Sequence, residues 1–168
     1  MFLHSTLDGF VEGPKGAMDI GWVAYNEELE KFADDVLSNT DTIVWGRKTY
    51  EMMYDYWPTV PSDENANEHE LNHVEWSNSK LVKDHVEEEI NKLKQQEGGD
   101  IVVLGSPRFA HYLMQLNLVD EYKITISPTL IGKGLPLFQN IHDKVDLKLI
   151  KSETFESGAL GLNYQVLN

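Results

Sequence analysis

The sequence predicts an α/β fold in which a central mixed, mostly parallel sheet is flanked by helices and ends in antiparallel strands. In the first two thirds of the chain, short apolar runs alternate with segments whose apolar residues recur at helical spacing. That order is typical of parallel strands joined by helices. In the last third, apolar and polar residues alternate, which is typical of half-buried antiparallel strands.

Size and composition favour one globular domain. The chain has 168 residues, of which 41% are hydrophobic and 25% charged, so we treat residues 1–168 as a single domain. It contains no cysteine, which excludes disulfides and thiolate chemistry. No run approaches the roughly 18 apolar residues of a membrane span, and the start lacks the pattern of a signal peptide, so we expect a cytoplasmic protein.

The net charge of the chain indicates which kinds of partner it can bind. At −14, the chain repels phosphate backbones and anionic lipid surfaces, so we expect a small-molecule substrate and neither a nucleic-acid nor a membrane partner. An anionic cofactor would need local cations and backbone dipoles to hold it against this overall charge.

The first helix is predicted over residues 26–38, with Asn26 as its N-cap. Its apolar residues share one helical face and are Leu29, Phe32, Ala33, Val36 and Leu37. Two strand–turn–helix units follow: a strand at 42–45 that stops at Gly46, and a strand at 100–104 that stops at Gly105. The alternating apolar residues of the last strands are Tyr122, Ile124, Ile126, Leu147, Leu149, Leu160, Leu162, Tyr164 and Val166.

The two glycine turns are the best candidates for binding an anion. A helix N-terminus offers unpaired N–H groups and the positive end of the helix dipole. The first turn adds charge and a hydroxyl that could cap the helix or bind phosphate, through Gly46, Arg47, Lys48 and Thr49. The second turn consists of Gly105, Ser106, Pro107 and Arg108. It places the serine at the N-cap and the proline in the first helical turn. The alternative is ordinary capping of two helices.

Several ordered segments resemble one known family. They are Ser5–Phe10, Gly13-Pro14, Ala17–Asp19, Gly46–Glu51, Leu104–Pro107, Leu118–Glu121 and Pro128–Phe138. Together they resemble the dihydrofolate-reductase-like superfamily, and within it the reductase domain of the bifunctional riboflavin-biosynthesis deaminase-reductase, of which this chain looks like a stand-alone member.

The resemblance implies a dihydrofolate-reductase-like three-layer fold and an oxidoreductase that passes hydride from NADPH to a small substrate. The substrate would be pterin-like or a pyrimidine ribosylamine, as in a 5-amino-6-(5-phosphoribosylamino)uracil reductase, and the protein would form a homodimer. Carried over to this sequence, the resemblance assigns Gly46, Arg47, Lys48 and Thr49 to the NADPH phosphates, and Gly105, Ser106, Pro107 and Arg108 to its pyrophosphate.

The resemblance also places substrate contacts near the end of the first strand. Asp8 and Gly9 would lie beside the nicotinamide and the substrate, with Asp8 as a candidate acid. The alternative for this pair is a simple Asp-Gly turn. Residues 13–22 would form a flap over the reacting pair, with Trp22 as a candidate substrate contact.

Two alternatives remain open. After His73 the sequence lacks a strand that the family uses near the adenosine 2′-phosphate, so NADH is not excluded, and neither is a non-catalytic nucleotide-binding homodimer. The segment His69-Glu70-Leu71-Asn72-His73 matches the pattern of zinc metallopeptidases. Its polar surroundings favour two exposed histidines on a short helix, so we expect no metal.

Overall fold

The computed structural model describes residues 1–56 and 79–167. Within these ranges the strands are β1 (Phe2–Thr6), β2 (Phe10–Glu12), β3 (Thr40–Val44), β4 (Asp100–Val103), β5 (Glu121–Ser127), β6 (Leu135–Pro136), β7 (Leu147–Thr154) and β8 (Leu160–Val166). The helices are α1 (Glu27–Leu37), α2 (Arg47–Tyr56), α3 (Val86–Lys94) and α4 (Pro107–Gln115). No helix in the described ranges is both long and apolar enough to cross a membrane.

The strands form the mixed sheet that the sequence predicts. Strand β1 pairs in parallel with β5, and β8 is antiparallel to both β5 and β7. Strands β3 and β4 form a parallel pair. A bridge between Phe2 and Leu104 joins this pair to β1, and Gly105 N donates to Phe2 O at 3.2 Å. The order across the molecule is therefore β3-β4-β1-β5-β8-β7, with the antiparallel strands at the C-terminal end.

Helices cover both faces of this sheet. Neighbouring residues on β1 belong to separate apolar cores, Phe2 with α1 and Leu3 with α3 and α4. Because successive side chains of a strand point to opposite faces, the two cores lie on opposite sides of the sheet. The expected three-layer arrangement is confirmed.

Helix α1 forms where the apolar spacing predicts it. The Asn26 side chain accepts a hydrogen bond from Leu29 N at 3.0 Å, which makes it the N-cap. Leu29, Phe32 and Val36 are buried along one face. Acidic residues in the first turn suit the positive end of the helix dipole.

Strand β7 differs from its prediction. The alternation of Leu147 and Leu149 predicts a half-buried strand, but seven of the eight residues of β7 are exposed. The reason is topological: β7 lies at the edge of the sheet, and no helix of the described ranges belongs to an apolar core with it. Alternation reports a pleated strand and does not reveal whether another layer covers it.

Two sequence features fall outside the described residues: the polar segment 58–73 and the His69–His73 motif. Between Ser79 and His85, the described chain contains no strand before α3 begins.

Candidate functional site

The two glycine turns lie side by side. Strands β3 and β4 are parallel neighbours with Val44 beside Val103, so the segments that follow the two strands leave the sheet at the same edge. There Gly46 N donates a hydrogen bond to Ser106 Oγ at 3.0 Å. The structure therefore joins the two predicted anion sites into one surface, although their cofactor roles stay predictions.

Gly46 is needed because the turns approach so closely. A Cβ added at this position would lie 2.9 Å from Phe109 Cβ on α4. Helix α2 begins at Arg47, and Tyr50 N donates to Gly46 O at 3.0 Å, so Gly46 occupies the N-cap position. The possibility that Thr49 caps this helix was wrong, because Thr49 lies inside its first turn.

The second turn depends on its backbone conformation. Gly105 and Ser106 both adopt positive φ, at 61° and 53°. Ser106 occupies the predicted N-cap position, but among the described residues its side chain makes no cap hydrogen bond to α4. Its hydroxyl accepts from Gly46 N instead. A Cβ added at Gly105 would meet no atom of the described residues within 4 Å, so the space above this turn is open. Pro107 begins α4, as predicted.

The cations of the two turns differ in their surroundings. The Arg47 side chain is 81% exposed, and its Nε lies 3.7 Å from Glu51 Oε1 one helical turn away. Lys48 beside it is also exposed. The Arg108 side chain, by contrast, is held at Nη1 by both carboxylate oxygens of Glu12, at 2.8 and 3.1 Å.

Sequence reasoning missed Glu12. Its side chain is only 7% exposed, although a carboxylate is rarely buried unless it is paired. The partner lies 96 positions away in the chain, and no local pattern in the sequence connects the two.

In the part of the chain that the structure describes, strand β1 pairs toward β4 only at Phe2, which leaves the rest of this edge open next to the two turns. The Phe2 carbonyl accepts from Gly105 N, so it points toward β4. Backbone groups alternate in direction along a strand. His4, two residues after Phe2, therefore directs its N–H and C=O to the side of β1 that faces β4. Strand β4 has ended by this level, at Val103. This edge lies at the carboxyl ends of the strands, where α/β proteins commonly bind ligands.

The His4 side chain is a second feature that the sequence did not reveal. Its Nδ1 lies 2.6 Å from Thr125 Oγ1, and its ring packs against Phe2 and Tyr25, with centroid distances of 5.1 and 6.0 Å. Burial lowers the pKa of His4 from 6.5 to about 4. This imidazole is therefore neutral at pH 7, half-buried on the face of β1 that α1 covers.

Asp8 lies just after the end of β1. Its carboxylate accepts hydrogen bonds from the Thr6 hydroxyl at 2.6 Å, Gly132 N at 2.7 Å and Ile131 N at 3.0 Å. These bonds, that from Thr6 most of all, lower the pKa of Asp8. Gly9 completes the turn with a φ of 82°. The carboxylate therefore ties the β1–β2 turn to the loop before β6, and its role as an acid stays a prediction.

The predicted flap, residues 13–22, folds around Asp19. The Asp19 carbonyl accepts from Gly13 N and from the Trp22 indole, each at 2.9 Å. The Asp19 carboxylate accepts from Lys15 N at 3.0 Å. Trp22 thus helps to hold the flap together, and its contact with a substrate is untested.

Comparison with known proteins identifies the family. The model of the RibD C-terminal domain family matches residues 1–160. The chain belongs to this family. A relative from Bacillus subtilis (strain 168), the uncharacterized protein YyaP, is 33% identical, with the match covering 96% of this chain and 91% of the relative.

Solved structures with a similar fold confirm the architecture. A pyrimidine reductase-like protein from Corynebacterium diphtheriae superposes with a TM-score of 0.67 at 14% identity, covering 99% of this chain and 90% of that one. A deaminase/5-amino-6-(5-phosphoribosylamino)uracil reductase from Thermotoga maritima gives a TM-score of 0.65 at 16% identity, with 99% and 55% covered. The dihydrofolate-reductase-like fold expected from the sequence is confirmed, and the family supports a RibD-like reductase.

Proposed function

We propose that this protein is an NADPH-dependent reductase that transfers hydride to a pyrimidine ribosylamine or a related pterin-like substrate. The observation that carries the proposal is the junction of the two glycine turns, where Gly46 N meets Ser106 Oγ at 3.0 Å. Two helix N-termini then face one surface, and each favours a negative charge. The family to which the chain belongs supports a reductase as the reaction type.

The residues at this surface fit a dinucleotide. Local cations offset the net charge of −14, and the exposed Arg47 suits a phosphate because its guanidinium can donate two parallel hydrogen bonds. The open space above Gly105 admits a pyrophosphate close to the backbone. In this proposal Arg47, Lys48 and Thr49 hold the outer phosphates, and residues 105–108 cradle the pyrophosphate.

The open edge of β1 fits the other end of the cofactor. The His4 N–H and C=O offer one donor and one acceptor, which together match a carboxamide. The bound cofactor supplies the hydride, while the protein supplies position and exclusion of water. The His4 ring and the α1 face would then lie on the substrate side of the cofactor.

Hydride transfer to an imine or carbonyl carbon leaves charge on the heteroatom, which a proton or a hydrogen bond must quench. Asp8 has a lowered pKa and is ionised at neutral pH, so we propose that it acts by fixing the 131–132 loop. Replacing Asp8 with Asn tests this. We expect at least a tenth of the wild-type kcat to remain, whereas near-complete loss of kcat with unchanged KM would show that Asp8 is the acid.

Turnover assays test the proposed function. The protein is mixed with NADPH and the phosphoribosylaminouracil substrate, and the absorbance of the reduced nicotinamide is followed. We expect substrate-dependent loss of absorbance. Binding of NADPH without oxidation across a panel of pyrimidine and pterin substrates would favour the non-catalytic nucleotide-binding alternative.

Arg47→Ala is the matched variant for this assay. Loss of charge-assisted hydrogen bonds to a phosphate should weaken NADPH binding by about 1.5–3 kcal/mol, roughly ten- to a hundredfold. Added salt should weaken wild-type binding more than that of the variant. Fluorescence titration at two salt concentrations measures both effects, and equal affinities would show that Arg47 is only a surface residue.

We also propose that the protein works in the cytoplasm as a homodimer. Its cysteine-free sequence suits a reducing compartment. Strand β7 presents Leu147, Leu149 and Ile150 at the sheet edge, each at least 37% exposed, and a second copy would cover such an edge. Light scattering at micromolar concentration should give twice the 19.2 kDa monomer mass, and a monomer would reject the dimer.

A further inference from the structure

The buried Glu12 is the residue whose position most needs a functional explanation. Its carboxylate lies on β2 with a side chain that is 7% exposed, and its partner Arg108 reaches it from the first turn of α4. Arg108 is one of the residues proposed above to hold the cofactor. A carboxylate beside a phosphate site is unfavourable unless it does something that outweighs the repulsion.

Helix α4 holds the β2–β6 ribbon at a second point. The His111 ring, one turn after Arg108, donates from Nε2 to the carbonyls of Pro136 and Leu137 at 2.9 and 3.1 Å. His111 is itself buried. Strands β2 and β6 pair with each other, so the two contacts fasten both strands of the ribbon to one face of α4.

This ribbon carries the base of the flap. Strand β2 ends at Glu12, and the flap begins at the next residue, Gly13. Gly13 N is already fixed inside the flap, where it donates to the Asp19 carbonyl at 2.9 Å. A movement of Glu12 would therefore move the root of the flap as well.

Arg108 retains the means to bind an anion while Glu12 holds it. The contacts with Glu12 use Nη1 alone, and a guanidinium carries five N–H donors over three nitrogens. The Arg108 side chain is 54% exposed, against 7% for Glu12. The arginine thus has one side fixed by a buried carboxylate and the other side open.

We propose that Glu12 is a positioning residue of the cofactor site: it holds Arg108 toward the phosphates and couples the flap to bound cofactor. The proposal rests on the function proposed above. This role for Glu12 and simple electrostatics predict opposite changes in NADPH affinity when the Glu12 charge is removed. Removing a negative charge near a phosphate site should tighten NADPH binding by Coulomb's law, whereas losing a positioning residue should weaken it.

Glu12→Gln tests the sign, because the amide keeps the shape of the carboxylate and loses its charge. We expect the NADPH Kd to rise about five- to tenfold, the cost of one weakened charge-assisted hydrogen bond. In an Arg108→Gln background the same change should have no further effect on Kd. Glu51→Gln is the control, since it removes a carboxylate from beside the exposed Arg47 and should leave Kd unchanged or slightly lower.

Hydrogen exchange over residues 13–22 supplies a measurement that needs no activity. Without cofactor, Glu12→Gln should speed exchange in the flap relative to wild type and to Glu51→Gln. NADPH should protect the wild-type flap and protect the variant less. Thermal unfolding checks that each variant is folded. If either single variant is not, the variant that combines Glu12→Gln with Arg108→Gln replaces it, because it removes both charges together.

The outcomes separate the two proposals. An unchanged or lower Kd in Glu12→Gln, with wild-type exchange in the flap, would overturn the role of Glu12 and leave the reductase proposal intact. Failure of the wild-type protein to bind NADPH would remove the reductase proposal and with it the cofactor role of Glu12. Hydrogen exchange over residues 13–22 in wild type and Glu12→Gln, measured without cofactor, would then still decide whether Glu12 holds the flap.

Discussion

The two strand–turn–helix junctions look alike in sequence but are built differently. The first needs Gly46 for space, because Phe109 on the other junction lies against it. The second needs Gly105 for its backbone conformation, with a φ of 61°, and a Cβ added there would meet no described atom within 4 Å. Their arginines differ too: Arg47 is 81% exposed, whereas Arg108 is anchored by a buried carboxylate.

The difference shows that one sequence pattern can serve two purposes. At the first junction the arginine is available to a ligand, and the turn takes its shape from its neighbour. At the second the arginine is held at Nη1 by a buried carboxylate, while its remaining donors stay available to a ligand, and the turn takes its shape from its own backbone. We therefore expect substitution of Arg47 at the first junction to change cofactor binding with little effect on stability, and substitution of Arg108 at the second to change both stability and cofactor binding.

The largest effect on stability is expected at His4, on the strand beside both junctions. Its folded pKa of about 4 lies below the ordinary 6.5, so the unfolded chain takes up the proton first. The stabilisation is complete above pH 6.5 and is lost as pH falls toward 4, a change of about 3 kcal/mol. Urea unfolding of wild type and His4→Gln between pH 7 and pH 4 measures it.

The His4→Gln variant should lack this part of the acid sensitivity. Carboxylates elsewhere titrate equally in both proteins, so the difference between the two curves isolates His4. Parallel curves for the two proteins would mean that His4 is protonated as easily in the folded state as in the unfolded chain.

The next effect separates the two arginines directly. Arg108→Ala leaves the Glu12 carboxylate buried without its partner, and we expect a loss of about 2–3 kcal/mol, less than for a fully buried pair because Arg108 is half exposed. Arg47→Ala should stay within about 0.5 kcal/mol of wild type. Equal losses of unfolding free energy in urea would contradict the distinction between the junctions.

The smallest effect concerns the glycines. Gly105→Ala adds no clash but forces a non-glycine residue to positive φ, which costs about 1–2 kcal/mol. Gly46→Ala should cost a similar amount by displacing Phe109, and it should also weaken NADPH binding because it pushes the turns apart. Gly105→Ala should weaken NADPH binding too, because its added Cβ would enter the space proposed for the pyrophosphate. Thermal unfolding measures the cost in stability and cofactor titration the cost in affinity, and an NADPH affinity unchanged in both variants would contradict the proposed site.

The sequence predicts the elements whose signals are local. Asn26 followed by an apolar face predicts α1, and glycine after an apolar run predicts both turns. The contact between Glu12 and Arg108 spans 96 positions, so no local pattern contains it. The pairing of His4 with Thr125 depends on the parallel register of β1 and β5. The exposure of β7 depends on its place in the sheet. All three arise from tertiary structure.

We propose that the joined turns hold NADPH. Thermal unfolding of the wild-type protein and of Arg47→Ala with increasing NADPH tests it most directly. A ligand at a hundred times its Kd stabilises the folded state by about 2.7 kcal/mol, so the wild-type Tm should rise by several degrees and that of Arg47→Ala by much less at the same concentrations. A wild-type Tm that neither NADPH nor NADH raises would contradict the account.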